Sequence, residues 1–115
     1  MDLNHLHLHV RDLEASRRFY ERWFSFAERV RHEEILFLRN AEGFDLALVP
    51  DAEAHEFPRW FHFGFRLEDA SAVRGLRARM KGAGLPGVGD LHAEAELVSF
   101  RCADPDGHRI EVYWE

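Results

Sequence analysis

The chain has a single cysteine, Cys102, among 115 residues. One cysteine cannot form an internal disulfide, so stability has to come from a packed core, as in a reducing compartment. No apolar run approaches the ~20 residues that a membrane-spanning helix requires. No lysine- or arginine-rich tract occurs, and cations are outnumbered: Lys plus Arg is 15 against 21 Asp plus Glu, a formal charge of −6. A generic nucleic-acid binder carries the opposite sign, because it neutralises phosphates with cations. Nucleic acid is therefore not an expected partner, and neither is a membrane. The opening residues, MDLNHLHLHVRD, offer neither a basic leader nor an apolar stretch. A secretory signal is thus not expected, and a cytoplasmic location is.

What is present is enough for a core. Apolar residues make up 46% of the chain, with ten phenylalanines and three tryptophans to fill space, which suits one compact domain over residues 1–115. Eight histidines are many for this length, and three of them stand in HLHLH at positions 5 to 9. Alternation with leucine separates them from an expression tag. A period of two places Leu6, Leu8 and Val10 on one face of a strand, and His5, His7 and His9 on the other.

The order of elements then appears twice. After the strand at 3–10, Asp12 is a helix cap, and Leu13, Ser16, Phe19, Tyr20, Trp23 and Phe24 recur at helical spacing as a buried stripe. Arg17, Arg18, Glu21 and Arg22 form the wet side. Three short strands follow within residues 26–49, with NAEG at 40–43 as a turn whose Gly43 tolerates positive φ. The stretch PDAEAHEFP at 50–58, with proline at both ends, reads as a linker with solvated charges, and its His55 as a surface histidine. The second half repeats the pattern: a strand at 60–67, and a helix at 69–84 capped by Asp69 with Val73, Leu76, Arg77 and Met80 along one side. Strands within 88–94 and at 96–101, a tight turn at 103–107 and a last strand at 108–114 complete it. His5 falls on His62, Asp12 on Asp69 and Ala15 on Ala72. The expectation is an α+β fold of two tandem βαβββ modules, about 1–50 and 59–115, joined by a linker at 51–58 and forming a cupped mixed sheet.

Two residues ask a chemical question. Glu111 is a carboxylate in the apolar terminal strand, sharing a face with Arg109 and Tyr113, and a buried carboxylate needs a partner, a hydrogen-bonding network or a metal. His62 sits between Phe61 and Phe63 on a face with Trp60, Gly64 and Arg66, where Gly64 removes a side chain and leaves room for a ligand. Together with an HLHLH histidine they would provide two imidazoles and one carboxylate. That set suits Zn, Ni, Co, Mn or Fe(II) and leaves coordination positions open for water or substrate. The alternative is a polar cavity with separately satisfied histidines.

The opening NHLHLHVRDLEASRRFY and the closing DPDGHRIEVYW resemble the signatures of the vicinal oxygen chelate superfamily over essentially the whole chain. That superfamily includes glyoxalase I, bleomycin and fosfomycin resistance proteins, methylmalonyl-CoA epimerases and extradiol dioxygenases. The resemblance implies the same paired βαβββ architecture. It also implies that His5, His62 and Glu111 are the ligands of one divalent metal ion, with Asp45 at the position of a fourth. Where the first helix of the family ends in LGF, this chain has Phe24-Ser25-Phe26, so a different local backbone is expected. His9 stands where glyoxalase I-like proteins carry arginine, and a segment that helps hold glutathione is short, which disfavours a glutathione thiohemiacetal. Only four residues follow Glu111, which disfavours a phosphonate site.

The implied activity is that of a divalent-metal-dependent lyase or isomerase of the glyoxalase type, on a small substrate that chelates the metal through oxygen. Glu111, His7 and Asp45 are the catalytic candidates, and His9, Arg66 and Tyr113 are expected to line the substrate pocket. The same donor set fits an Fe(II) extradiol-type dioxygenase, and the acidic, aromatic composition fits a bleomycin-resistance-like binding protein without catalysis. A homodimer is expected, since single-domain members of the superfamily exchange modules between subunits.

Overall fold

The computed structural model describes residues 1–53 and 55–115. The chain divides into two compact units, Met1–Glu56 and Phe57–Glu115. Each is a four-stranded mixed sheet with one helix.

In the first unit, β1 (His5–Val10), α1 (Leu13–Phe24), β2 (Ala27–His32), β3 (Ile35–Arg39) and β4 (Asp45–Pro50) follow in order. The sheet runs β1-β4-β3-β2, with β1 parallel to β4 and the other pairs antiparallel. The alternation read from the sequence holds. Leu8, Val10, Leu36, Leu38, Leu46 and Leu48 are buried along with Phe19, Tyr20 and Phe26, whereas His5, His7 and His9 lie on the opposite, exposed face of β1. Asp12 caps α1 by accepting from the Ala15 N–H at 3.0 Å. The helix exits through Ser25, whose φ of 57° is left-handed. Serine therefore takes the bend that glycine takes more cheaply, because a left-handed L-residue crowds its Cβ against the backbone.

The second unit repeats this with β5 (Phe63–Arg66), α2 (Ala70–Gly82), β6 (His92–Glu94), β7 (Leu97–Ala103) and β8 (Arg109–Trp114), in the sheet order β5-β8-β7-β6. Again the first strand is parallel to the last. Val73, Leu76 and Met80 of α2 are buried, as are Val98, Phe100, Cys102, Ile110 and Val112 of β7 and β8. Two tandem βαβββ modules with mixed sheets are thus observed. Strand β5 is shorter than its pattern suggested. Phe61 donates its N–H to the Pro58 carbonyl at 2.9 Å, which turns the chain and leaves Trp60 to His62 outside the ladder. Among the described residues no helix is long and apolar enough to cross a membrane.

The turns that lead into the last strands, Asn40–Phe44 and Asp104–His108, are built alike. In each, the first residue accepts from the glycine N–H (Gly43 at 3.1 Å, Gly107 at 2.9 Å) and donates its own N–H to the fifth residue's carbonyl. The first side chain then accepts the fifth N–H, Phe44 to Asn40 Oδ1 and His108 to Asp104 Oδ1, both at 2.9 Å. This equivalence fixes how β4 corresponds to β8: Asp45 to Arg109, and Ala47 to Glu111.

Candidate metal centre

On β1, the His5 Nδ1 lies 2.8 Å from Asn4 Oδ1. An amide oxygen only accepts, so His5 Nδ1 carries a proton, and in the neutral ring Nε2 keeps a lone pair. The His7 ring meets His5 at 6.0 Å and Phe37 at 6.4 Å between centroids, edge-on to both. His5, His7 and His9 thus line one sheet face, beside Asp45, Ala47 and Val49 of β4 in register.

Asp45 is engaged differently from the sequence expectation. Arg39 reaches it through Nε at 2.6 Å and Nη2 at 2.9 Å, and Arg29 through Nε at 3.2 Å and Nη2 at 3.0 Å. Two guanidinium forks saturate one carboxylate, and they hold its pKa below the usual carboxylate range, Arg39 chiefly, with Arg29 adding to it and burial opposing. A carboxylate so held is a weak base and has no lone pair free for a metal. The turn equivalence reinforces this. The position that matches Glu111 is Ala47, which carries no donor, and Asp45 lies two residues before it.

In the second unit, His62 and Glu111 meet. The distance from His62 Nε2 to Glu111 Oε2 is 3.2 Å, with both side chains partly exposed. His62 Nδ1 stands 3.0 Å from the Trp60 carbonyl, an obligate acceptor, and so must carry its proton. The Nε2 of the neutral ring is then a lone pair aimed at an anionic oxygen. Two such atoms at this distance need a proton or a metal ion between them. An imidazole whose far nitrogen is committed to a carbonyl is the arrangement that orients metal-ligating histidines. Arg101 Nη2 also approaches Glu111 Oε2, at 3.5 Å.

Gly64 has a more specific reason than open space. It is the register partner of Glu111, and a Cβ added there would lie 3.2 Å from the Glu111 carbonyl oxygen and 3.7 Å from its Cβ. The absent side chain lets β5 close against β8 beside the carboxylate. Arg66 donates to the Glu115 carbonyl at 3.1 Å, and Tyr113 is its register partner on β8.

A second cluster has a donor set that can hold a metal ion: His9, Asp51 and His55. His9 Nδ1 is 2.8 Å and His55 Nε2 is 2.7 Å from the same oxygen, Asp51 Oδ2. The linker reading took Asp51 as a solvated charge and His55 as a surface histidine. Both rings are about half exposed, yet they share a carboxylate. Parallel pairing is the cause. The Asp51 N–H continues the β1–β4 ladder by donating to the Val10 carbonyl at 2.9 Å, which sets its side chain beside His9. The His9 hydrogen bond, the Glu53 N–H and His55, in that order, hold the Asp51 pKa well below the usual carboxylate range.

The DPDGH segment, by contrast, is structural. Asp104 and His108 are buried, and Asp104 Oδ2 meets His108 Nδ1 at 2.7 Å while Oδ1 accepts from the Asp106 and His108 N–H groups.

A family model described as Glyoxalase/Bleomycin resistance protein/Dioxygenase superfamily matches residues 2–112. A possible glyoxalase from Bacillus cereus is 30% identical, with 97% of each chain covered and a TM-score of 0.81. The genomically encoded fosfomycin resistance protein FosX from Listeria monocytogenes is 22% identical over 98% of this chain and 92% of its own, with a TM-score of 0.84. Lactoylglutathione lyase from Agrobacterium tumefaciens is 20% identical over 97% and 92%, with a TM-score of 0.76. These last two likenesses show the fold. No curated protein matches the chain.

Proposed function

Since the chain belongs to the Glyoxalase/Bleomycin resistance protein/Dioxygenase superfamily, we propose that it is a divalent-metal-dependent lyase or isomerase acting on a small substrate that presents adjacent oxygen atoms. In this reading His5, His62 and Glu111 supply the ligands of one ion. The observation that carries it is the approach of His62 Nε2 to Glu111 Oε2 at 3.2 Å with His62 Nδ1 committed to the Trp60 carbonyl. His5 is prepared in the same way by Asn4. Two imidazoles and one carboxylate suit Zn, Ni, Co, Mn or Fe(II), and they leave positions open.

When bound, such an ion would polarise a substrate carbonyl and stabilise negative charge that develops on its oxygen. The remaining work falls to side chains. His7 shares the β1 face with His5 and is the candidate for proton transfer at the carbon beside that carbonyl. Glu111 orients His62 and is the second candidate base. Arg66 and Tyr113 are the proposed substrate contacts, whereas His9 is engaged with Asp51 and stands outside this set. Asp45, fixed between Arg29 and Arg39, holds those two cations in place on the same face and stays outside the ligand set.

His62→Ala is the direct test. Metal analysis of tag-free protein should show the occupancy of this site lost, with the far-UV spectrum unchanged. Unaltered metal content in a folded variant overturns the ligand assignment. The reaction class is tested by following deuterium uptake from solvent, at carbons next to carbonyls, in a panel of 2-hydroxy and 2-keto acids. The 2-His-1-carboxylate donor set also admits an Fe(II) extradiol-type dioxygenase. Aerobic Fe(II) protein that cleaves a catechol ring, without deuterium uptake in the first panel, would favour that reading. A folded protein that takes up no metal would instead favour ligand binding without catalysis.

The proposal extends to a homodimer, in which His5 of one subunit joins His62 and Glu111 of the other. Trp60 is 75% exposed beside His62, an apolar surface that an interface would cover. Mixing His5→Ala with Glu111→Ala protein should regenerate some intact sites if ligands are shared between chains. No recovery of metal binding after demonstrated subunit exchange excludes sharing.

A further inference from the structure

We propose that His9, Asp51 and His55 form a second, separate site for a borderline transition-metal ion, Zn, Ni, Co or Cu(II), which clips the segment after β4 onto the end of β1. Separation from His5 follows from the strand. Four residues at about 3.3 Å each place His9 roughly 13 Å along β1 from His5, so no ion can bind both. The donors come from three places in the sequence: β1, the first residue after β4, and the segment that follows it.

The preparation of Asp51 distinguishes this cluster from a chance meeting of surface charges. Its backbone N–H is tied to the Val10 carbonyl. Its Oδ1 accepts from the Glu53 N–H at 2.9 Å. Oδ2 is thereby left as the one oxygen facing the two imidazoles, at 2.8 and 2.7 Å. The rings stand edge to face, with centroids 5.6 Å apart, so each presents a nitrogen to the same point. Without metal, each ring nitrogen donates a proton to the carboxylate. An ion at about 2.0–2.1 Å from each donor sets neighbouring donors about 3.3 Å apart, so replacing those protons by a metal requires each nitrogen to draw back by about half an ångström. Exposed rings on a surface segment can make that movement by small χ rotations. Two nitrogens and one oxygen favour borderline metals over Mg or Ca, which demand oxygen cages. With three protein donors, water completes the coordination.

The test uses tag-free protein and Zn²⁺ alone. In the His62→Ala background, calorimetric titration should still show one equivalent of Zn²⁺ bound. A second change, His55→Ala, should abolish that equivalent, and His55→Gln should weaken it at least tenfold while the fold, followed by circular dichroism, is kept. In the unmodified protein, Zn²⁺ should shift the imidazole NMR resonances of His9 and His55 together. Zn²⁺ uptake that is the same with and without His55, or imidazole shifts that bypass His9 and His55, overturns the proposal. Because these resonances are read residue by residue, failure here is distinct from failure of the His5, His62 and Glu111 assignment.

Discussion

The two units share one topology and differ in what they place on it. Their helices are capped by the same residue type, Asp12 accepting from Ala15 and Asp69 from Ala72. Their last strands are entered through the same five-residue turn. Yet the first unit carries three histidines on β1 and an Arg29–Asp45–Arg39 cluster, with Ala47 at the position where the second unit has Glu111. The second unit has one histidine, His62, in the segment just before β5, and Gly64 opposite the glutamate. A scaffold used twice in one chain thus keeps its caps, turns and the apolar character of its buried face, and spends its variation on the outward positions of the parallel strand pair. Chemistry can diverge between copies there because those side chains do not build the core.

The sharpest break of the comparison is at the matched turns. Asp104→Ala removes the acceptor of two backbone N–H groups and orphans the buried His108. The expected cost is about 3 kcal/mol in urea unfolding. Asn40→Ala, at the equivalent place, removes one such bond on a partly buried turn and should cost about 1 kcal/mol. Equal losses would mean that the His108 and Asp106 contacts of Asp104 contribute nothing.

A second difference is electrostatic. Asp45 has a depressed pKa in the folded state, so its pairing stabilises the protein above the ordinary carboxylate pKa of 3.8 and is lost as pH falls below it. Asp45→Asn should therefore lower stability by about 1 kcal/mol at pH 7. The gap between variant and parent should shrink in melts taken progressively below pH 4. A gap that persists undiminished into acid would show that packing, not charge, fixes Asp45.

The smallest effect sits at the helix exits. The first unit turns out of α1 through left-handed Ser25, while the second passes through Gly84, with φ of 72°, just beyond α2. Ser25→Gly should stabilise by up to about 1 kcal/mol and Gly84→Ser should destabilise by a similar amount. Opposite signs in thermal melts are the signature, and like signs would refute the shared geometry.

Much of this was readable before any coordinates. Alternation in LNHLHLHV separates buried from exposed faces because a strand has no other way to satisfy both. The aspartates at 12 and 69 announce helices because each precedes an apolar pattern of helical spacing and can accept an N–H that the first turn leaves unpaired. Three features were not readable, and each depends on non-local backbone. The short β5 follows from a turn onto the Pro58 carbonyl. The match of Ala47, rather than Asp45, to Glu111 needs the hydrogen-bond pattern of two turns. The His9–Asp51–His55 cluster arises because parallel pairing carries residue 51 alongside residue 9, while the sequence around His55 shows only a polar linker. The tautomers of His5 and His62 likewise depend on which carbonyl each ring finds.

The parallel pairing has a consequence for how the molecule forms. In each sheet β2–β4 and β6–β8 join neighbours through short connections, whereas His5 meets Asp45, and Phe63 meets Ile110, only after a whole helix and two strands have been bridged. Closing that long loop costs entropy before it returns contacts, so the local meanders should order first and β1 and β5 should dock late. Those two strands also lie at the rims of their sheets, where amide protons exchange with solvent through small openings. His5 in the first unit, and the Trp60–His62 segment that runs into β5 in the second, thus belong to the last-arriving and first-departing part of their own unit, so a contact made at either would latch the final step of that unit's folding.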